Sequence, residues 1–347
     1  MRRRFLGILT MLFAGLTGCM AQAADSAPTR FSTQFVGAMD TVVQLIAYCM
    51  DEAEFTRAVQ AVRGELERQE ALLDIHRPDS AVSRVNAAAG GTVACPTELC
   101  MLVARCQALY ERVPGTNIAM GAVLRLWEDA RVSGVLPDEA ALRRAGGHIA
   151  LSRVDADPEN GEITITDPAQ SLDLGAVGKG YAADAAAVRL HELGVTSFLL
   201  DFGESTMVCA GAPPESGGWT VAVREPDAVL NLSGRREVPE YSGTLTLADR
   251  CLGVSGDYQK YFASSGTYYA HILEESTLYP ARYCRAVCVL APDAFAADYL
   301  STALFAQPYA AAREAAENLP NVDVLWIFAD GSREMTPGFA EYWRDEE

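Results

Sequence analysis

The order of strand-like and helix-like segments constrains the fold of this chain more than any other feature of its sequence. Alternating apolar residues predict strands, and apolar residues spaced three and four apart predict amphipathic helices. The predicted strands cover 31–48, 154–166 (a hairpin), 198–202, 219–223, 243–247, 287–290 and 322–328, and the predicted helices cover 55–73, 99–110, 119–131, 138–145, 180–193 and 292–307. The polar stretch 80–86 predicts a turn. Because strands and helices mix without a strict β-α-β alternation, we predict an α+β fold with mixed, mainly antiparallel sheets and packed helices.

Length and charge limit the possible domain organisation and ligands of the chain. The 347 residues, half of them hydrophobic, can bury a sizeable core in one large domain or two intimate subdomains. The formal net charge is -18, and removing the three arginines at 2–4 takes it to -21. An acidic surface argues against binding nucleic acid or a polyanionic membrane through bulk charge. A protein with an acidic surface can still bind a small phosphorylated ligand, because such a ligand needs only a local site.

The first residues have the pattern of an export signal. Three arginines at 2–4 precede a short apolar stretch at 5–16, which is too short to span a bilayer as a stable helix. The sequence Leu16-Thr-Gly-Cys19 then resembles a lipobox, whose cysteine is lipidated and becomes the first residue of the mature protein. We therefore expect export and attachment to a bacterial membrane through lipid on Cys19, facing the periplasm or the cell exterior.

An ordinary cleaved signal, with Ala21-Gln-Ala23 as its cleavage site, is the alternative. In the lipoprotein interpretation, 1–19 is the signal peptide, 20–32 a flexible tether and 33–345 the folded domain. Eight cysteines follow Cys19, and an even number in an exported chain suggests disulfides whose pairing cannot be deduced from sequence. Structural bridges and buried thiols both stay open.

A glycine-rich segment lies just before a predicted helix. Gly175, Gly178 and Gly180 surround Lys179 within the stretch 171–184. Glycines permit close approach of the backbone, a helix N-terminus attracts anions, and lysine adds a positive charge for a phosphate. It is not a Walker A loop, which needs Ser or Thr after the lysine. The alternative is a plain strand-to-helix turn with an exposed lysine.

Two further groups of residues could carry chemistry. His271 is close in sequence to Asp257, and an imidazole near a carboxylate can serve as an acid or base near neutral pH. A structural hydrogen bond is the common alternative for a single histidine. Asp298 and Thr302 are four residues apart, so they share one helix face, and their oxygens suit magnesium. In the alternative interpretation, Asp298 is an exposed carboxylate and the hydroxyl of Thr302 is hydrogen-bonded to its own helix.

These motifs in their order resemble the ApbE family. The chain has D-L-G-x-x-G-K-G-Y-A-x-D at 173–184, S-G-D-Y at 255–258, H-I-L at 271–273 and A-D-x-x-x-T-A at 297–303. Three weaker matches lie upstream, at 38–41, 77–86 and 117–127. The resemblance runs from about residue 35 to residue 330, nearly the whole mature chain. Each motif alone is weak, but these motifs together in the right order are specific.

The resemblance implies a fold of two intimately joined subdomains that binds FAD and Mg²⁺. Members transfer the FMN moiety of FAD to a Thr or Ser hydroxyl of a flavoprotein with an FMN-binding domain and release AMP, and some hydrolyse FAD to FMN and AMP. The matching positions are, for the metal, Asp298, Thr302 and the backbone oxygen of Ala176, and, for FAD, Met39, Ala119, Met120, Gly121, Asp173, Lys179 and Ile272. His271 would lie at the reacting centre with Asp257 as a plausible partner, and His76 stands where an aromatic residue often stacks on the flavin.

The chain departs from the family pattern near the reacting centre. Glu274-Glu275 replaces Asp-Pro, Leu278 replaces a glycine, and Glu204 replaces the second glycine after the central strand. A loop built for glycine must change shape around leucine. We therefore predict an exported FMN transferase, with an FAD pyrophosphatase and a non-catalytic FAD-binding lipoprotein as alternatives.

Overall fold

The computed structural model describes residues 27–37, 41–235 and 237–345, so the predictions on Cys19 and Met39 lie outside the described residues. Within these ranges the strands are β1 Thr29–Val36, β2 Val42–Cys49, β3 Gly91–Ala94, β4 Val154–Asp157, β5 Glu162–Ile165, β6 Phe198–Phe202, β7 Thr206–Ala210, β8 Trp219–Arg224, β9 Tyr241–Leu247, β10 Arg250–Gly256, β11 Tyr261–Ser264, β12 Thr267–Ala270, β13 Ala286–Ala291, β14 Asp323–Ile327, β15 Arg333–Met335 and β16 Trp343–Asp345. The α-helices are α1 Glu52–Leu73, α2 Ala81–Ala87, α3 Thr97–Arg112, α4 Gly121–Ser133, α5 Glu139–Gly146, α6 Gly175–Glu192, α7 Pro226–Val229, α8 Ala294–Phe305, α9 Tyr309–Glu317 and α10 Pro337–Tyr342.

Eight strands form the main sheet, in the order β1-β2-β6-β7-β10-β13-β14-β15. Each neighbouring pair in this sheet is antiparallel. The smaller sheets are β16-β9-β8, β3-β5-β4 and the hairpin β11-β12. The predicted α+β class with mainly antiparallel sheets is therefore confirmed.

Both faces of the main sheet are buried. Along β13, Val287 and Val289 belong to the core beneath the helices, whereas Cys288 and Leu290 belong to the core beneath the small sheet β16-β9-β8. Successive side chains of a strand point to opposite faces, so burial on both faces requires a continuous apolar run. This explains why the sequence signal for this strand is an unbroken apolar segment.

Helix α8 lies at the centre of the helical layer. It packs against β10, β13 and α6, and α6 in turn packs against α1. Ten of its twelve residues are buried, including Phe295 and Tyr299. A helix that is apolar on nearly all sides is stable only when it is enclosed in this way. The enclosure fixes the directions of its polar side chains, among them Asp298 and Thr302.

The structure corrects several boundaries. The segment 31–48 is a hairpin of β1 and β2, because the chain turns where the amide of Gly37 donates to the carbonyl of Thr41. Since β1 begins at Thr29, residues 29–32 belong to the sheet and not to the predicted tether. The predicted turn at 80–86 is largely helix α2, which Ser80 caps by accepting a hydrogen bond from the amide of residue 83.

Strands β3, β7, β10, β11, β12, β15 and β16 were not predicted. Among the helices of the described ranges, none has the length and apolar character required to cross a bilayer. Helix α6 begins at Gly175, ahead of its predicted start at Gly180. The glycine-rich segment is therefore largely the first part of the helix, and Gly180 lies inside it.

Gly180 sits at the closest approach of α6 to α8. A Cβ atom at this position would lie 2.3 Å from the carbonyl oxygen of Ala294 and 2.7 Å from the Cβ of Asp298. We expect Gly180→Ala to lower the free energy of unfolding by about 3 kcal/mol, because backbone atoms must shift. Urea denaturation measures this change.

Gly64 provides the matched control. It is also a helical glycine, in α1, but a Cβ there would meet nothing within 4 Å. We expect Gly64→Ala to raise the free energy of unfolding by up to about 1 kcal/mol, since alanine is the better helix former. Equal effects of the two substitutions would contradict the packing role of Gly180.

Candidate active site

A cleft of about 550 Å³ opens beside the first turn of α6, the cleft-facing side of α8 and the hairpin β11-β12. Nine of the predicted site residues line it, namely His76, Met120, Asp173, Ala176, Lys179, His271, Ile272, Asp298 and Thr302. Ala119 and Gly121 flank Met120 but are not among the lining residues. The structure thus brings together residues that are separated by more than two hundred positions in the sequence.

Asp298 is a buried carboxylate that faces this cleft. Its side chain accepts a hydrogen bond of 2.8 Å from the backbone amide of Gly180, and the residue is only 5 % exposed. Burial raises the pKa of Asp298, whereas the positive charge of Lys179 opposes that rise. A buried carboxylate is stable in its charged form only with such compensation, so this position favours a cation nearby.

Three oxygen atoms near this point are suited to a hard cation. Ala176 lines the cleft, and its backbone oxygen has a second lone pair that can bind a cation even where the first accepts a helix hydrogen bond. The hydroxyl of Thr302, one turn beyond Asp298, lies 3.1 Å from the hydroxyl of Ser255. The described residues contain no group of three His, Cys, Asp or Glu side chains that could hold a metal. A cation here would need further ligands from a bound phosphate, as Mg²⁺ commonly does.

His271 follows β12 and presents one ring nitrogen to the cleft. Its Nδ1 lies 3.1 Å from the carbonyl oxygen of Lys260. A carbonyl can only accept, so Nδ1 carries the hydrogen and Nε2 keeps its lone pair. Burial lowers the pKa of His271 to about 3, and the positive charges of Lys179 and Lys260 add to that effect. The imidazole is therefore neutral near pH 7 and can accept a proton at Nε2.

Asp257 occupies a different position from the one predicted. Its carboxylate accepts a hydrogen bond of 2.6 Å from Nε of Arg285, a buried guanidinium that also pairs with Asp227. Burial raises the pKa of Asp257 to about 6, although Arg285 opposes the rise. Asp257 does not line the cleft, and the ring of His271 bonds to Lys260. The structure therefore places Asp257 in a buried ion pair and not in the expected pairing with His271.

Asp173 and its neighbours begin helix α6. The Asp173 carboxylate accepts a hydrogen bond of 2.8 Å from the amide of Gly175, and burial raises its pKa. Asn86 holds the preceding residue, Leu172, from both sides: it donates to the carbonyl at 2.9 Å and accepts from the amide at 2.7 Å. Asn86 was not predicted as a site residue, although it ends the motif at 77–86 that supported the resemblance.

Asn117 shapes the wall that contains Ala119. Its side-chain oxygen accepts from the amide of Ala119 at 2.9 Å, and its side-chain nitrogen donates to Glu275 at 2.9 Å. The amide of Gly121 donates to the carbonyl of Ser171, where a Cβ would lie only 2.6 Å from the serine hydroxyl oxygen. Ala119 and Gly121 therefore support the position of Met120, which does line the cleft.

An aromatic wall closes another side of the cleft. The rings of Phe262 and Tyr269 stack at 5.3 Å, and Trp127 lies 5.8 Å from Tyr269. These three residues line the cleft and were not predicted, because the hairpin that carries two of them was missed. The available signal was the turn Ser265-Gly266, whose two positive φ angles match a tight hairpin turn.

His76 lies at the mouth of the cleft. Its ring nitrogen Nε2 is 3.5 Å from the carboxylate of Glu128, and its side chain is 61 % exposed. The amide of His76 donates to the side chain of Asp74 at 2.8 Å, which fixes the loop. The exposed ring is therefore accessible to a planar ligand.

The substituted glycine positions are accommodated by local contacts. Leu278 has a left-handed φ of 62°, and its carbonyl accepts a hydrogen bond of 2.8 Å from the indole of Trp127. Glu204 has a φ of 60°, and Arg224 donates two hydrogen bonds of 2.7 Å to its carboxylate. Left-handed backbone costs about 1 kcal/mol or more outside glycine, so these contacts hold the two loops in place.

The fold is α+β, and its cleft combines a positive charge, at Lys179, with an aromatic surface, at Trp127, Phe262 and Tyr269. The family model of the ApbE family matches residues 39–326. The chain belongs to the ApbE family, and the expected resemblance is confirmed.

Several proteins are similar over most of their length. A protein of Treponema pallidum named FAD:protein FMN transferase is 27% identical, with 97% of this chain and 94% of the relative covered. One of Klebsiella pneumoniae with the same name is 28% identical, with 83% of this chain and 86% of the relative covered. The crystal structure of an ApbE protein from Thermotoga maritima superposes with a TM-score of 0.80 at 23% identity, covering 91% of this chain and 100% of the other.

Proposed function

We propose that this protein is an FAD:protein FMN transferase. It transfers the FMN moiety of FAD to a Thr or Ser hydroxyl of an exported flavoprotein with an FMN-binding domain and releases AMP. The observation that carries the proposal is that one cleft holds a neutral imidazole, His271, and a buried carboxylate, Asp298. The names of the relatives support flavin transfer.

The oxygen atoms of Asp298, Thr302 and the Ala176 backbone would hold Mg²⁺. When bound, this ion would neutralise charge on the pyrophosphate of FAD and make its phosphorus more easily attacked. Lys179, at the same end of the cleft, contributes a second positive charge for the phosphate oxygens.

The protein's own residues then supply orientation and proton transfer. The incoming hydroxyl oxygen forms a bond to the phosphorus on the FMN side, while its proton passes to Nε2 of His271. The bond from that phosphorus to the bridging oxygen breaks, and the oxygen leaves with AMP. The hydrogen bond from Nδ1 to Lys260 keeps the ring in the tautomer that can accept this proton. Trp127, Phe262 and Tyr269 would stack against a planar ring of the ligand.

We also propose that the mature protein is exported and lipid-anchored at Cys19, facing the periplasm or the cell exterior. The lipobox Leu16-Thr-Gly-Cys19 supports this location. A Cys19→Ser variant should then move from the membrane fraction to the soluble fraction of fractionated cells. Membrane association that survives this substitution would contradict the anchor.

The transfer is tested with the chain from residue 26, FAD and Mg²⁺, with and without an FMN-binding acceptor domain. We expect mass spectrometry to show an acceptor heavier by one FMN moiety, together with AMP. Equal amounts of AMP and free FMN with and without acceptor would instead identify an FAD pyrophosphatase. Bound but intact FAD in both reactions would identify a non-catalytic flavin-binding protein.

A further inference from the structure

Two cysteine side chains meet at the junction of β3 and α3. The Sγ atoms of Cys95 and Cys100 lie 3.1 Å apart. Both backbones are held in place: the amide of Cys95 donates to the carbonyl of Gly161 at 2.8 Å, and that of Cys100 donates to the carbonyl of Pro96 at 3.3 Å. The contact between the sulfurs therefore follows from the local fold and not from two mobile side chains.

We propose that Cys95 and Cys100 form a structural disulfide when the protein matures in an oxidising compartment. A metal site is the competing interpretation of two close thiols. In the described residues, however, no third His, Cys, Asp or Glu joins them in a group that could hold a metal. The spacing also differs from the C-x-x-C of redox-active pairs, so this is a stabilising bridge.

The bond forms by two exchange steps with a disulfide-bearing oxidant. The thiolate of one cysteine attacks a sulfur of the oxidant, which gives a mixed disulfide and releases one thiolate. The second cysteine thiolate then attacks the first cysteine's sulfur and releases the other thiolate of the oxidant. Two electrons pass to the oxidant, and the two thiol protons go to the released thiolates or to solvent.

The folded protein protects this pair from later exchange. Cys100 is buried, and burial together with the neighbouring Cys100 thiol raises the pKa of Cys95 to about 12. Since thiolates are the reactive form, exchange is fastest during folding, before the pair is enclosed. The completed bond would resist reduction in the native state.

The bridge would brace the start of α3. Glu98 lies between the two cysteines, and its carboxylate accepts hydrogen bonds from Arg68 of α1 and Tyr181 of α6. Neither cysteine lines the cleft. We therefore expect reduction to lower the Tm by about 5 °C, while kcat is unchanged.

The first test uses the full chain expressed with its own leader and isolated without reductant. After unfolding in the presence of N-ethylmaleimide, trypsin releases residues 85–105 as one peptide that contains both cysteines. We expect this peptide unalkylated and lighter by two hydrogen atoms than its thiol form. Two alkylated cysteines, or a bond to any other cysteine, would overturn the proposal.

The second test separates the bridge from the predicted export. The chain from residue 26 is purified reduced, unfolded and refolded with equal concentrations of reduced and oxidised glutathione. We expect the oxidised 85–105 peptide, and in Cys95→Ser we expect Cys100 to become alkylated. A reduced pair here, with wild-type Tm in Cys95→Ser, would refute the bridge even if the chain is exported. The pair could instead be oxidised in the refolded chain but reduced in the full chain isolated from cells. That result would contradict the export prediction and would reject the disulfide in the native protein.

Discussion

Replacing Asp298 by Asn is expected to lower the kcat of FMN transfer about 10³-fold. Asparagine retains the shape of the side chain and an oxygen that can accept the hydrogen bond from Gly180. The substitution therefore removes the negative charge and little else. If the Asp298 carboxylate holds Mg²⁺ against the pyrophosphate of FAD, the Asn variant loses the ion. The pyrophosphate then loses the main positive charge that neutralises it.

An unchanged rate with tighter FAD binding would contradict a metal site at Asp298. A buried carboxylate with no cation would repel the pyrophosphate, so its replacement by Asn would tighten FAD binding and leave the rate intact. The two interpretations thus predict opposite effects on FAD affinity. Titration with Mn²⁺, followed by electron paramagnetic resonance, measures the metal site independently of activity. We expect weaker Mn²⁺ binding in Asp298→Asn.

Asp184→Asn provides a matched control. Asp184 lies on α6, and its carboxylate accepts hydrogen bonds of 2.8 and 2.9 Å from the amides of Ala294 and Phe295 at the start of α8. Burial raises its pKa to about 6, as burial also raises that of Asp298. It does not line the cleft. Loss of Mn²⁺ binding in both variants would indicate a general disturbance of the α6–α8 packing, and not a metal site at Asp298.

The pairing of Asp298 with Thr302 could be predicted from the sequence because it depends on helix periodicity. Asp298 and Thr302 are four residues apart on an apolar helix, so their common face follows from the helix alone. Their meeting with Ala176 depends on the packing of α6 against α8. The sequence has glycines at this point. It does not distinguish a glycine that makes room for a phosphate from one that makes room for a second helix. Gly180 proves to be of the second kind.

The aromatic wall was missed for another reason. Strands β11 and β12 have only four residues each, and so short a segment carries too little alternation to be distinguished from loop. Trp127 lies on a predicted helix, but its partners Phe262 and Tyr269 come from this missed hairpin. Contacts between distant segments are set by tertiary packing and not by local propensity.

Asp257 shows the limit of arguing from closeness in sequence. It lies in the same motif region as His271, yet β11 and β12 separate the two residues along the chain. Arg285, which precedes β13, takes the Asp257 carboxylate into a buried ion pair. Buried arginines demand such partners because an unpaired buried charge is costly. The sequence alone gave no sign of which carboxylate would supply the charge.

Replacing His271 by Asn should lower kcat between about 10² and 10⁴-fold, the usual contribution of a general base. The Asn side-chain nitrogen can replace Nδ1 as donor to the Lys260 carbonyl, so the local structure is retained. What is lost is Nε2, the atom that would accept the hydroxyl proton. FAD affinity, measured by calorimetry, should change little. His148→Asn is the matched control, because Nδ1 of His148 also has a partner, at 2.8 Å in Asp167, and the residue does not line the cleft.

The pH dependence gives an independent check on the same residue. A histidine with an ordinary pKa of about 6.5 loses its base form as the pH falls through that value. With the pKa of His271 lowered to about 3, the base form persists at pH 5. We expect kcat/KM, which reports the free enzyme, to show no decline from this group between pH 8 and pH 5. A decline centred near pH 6.5 that disappears in His271→Asn would show that the ring is exposed to water in solution. The burial that lowers the pKa of His271 would then be absent from the free enzyme in solution.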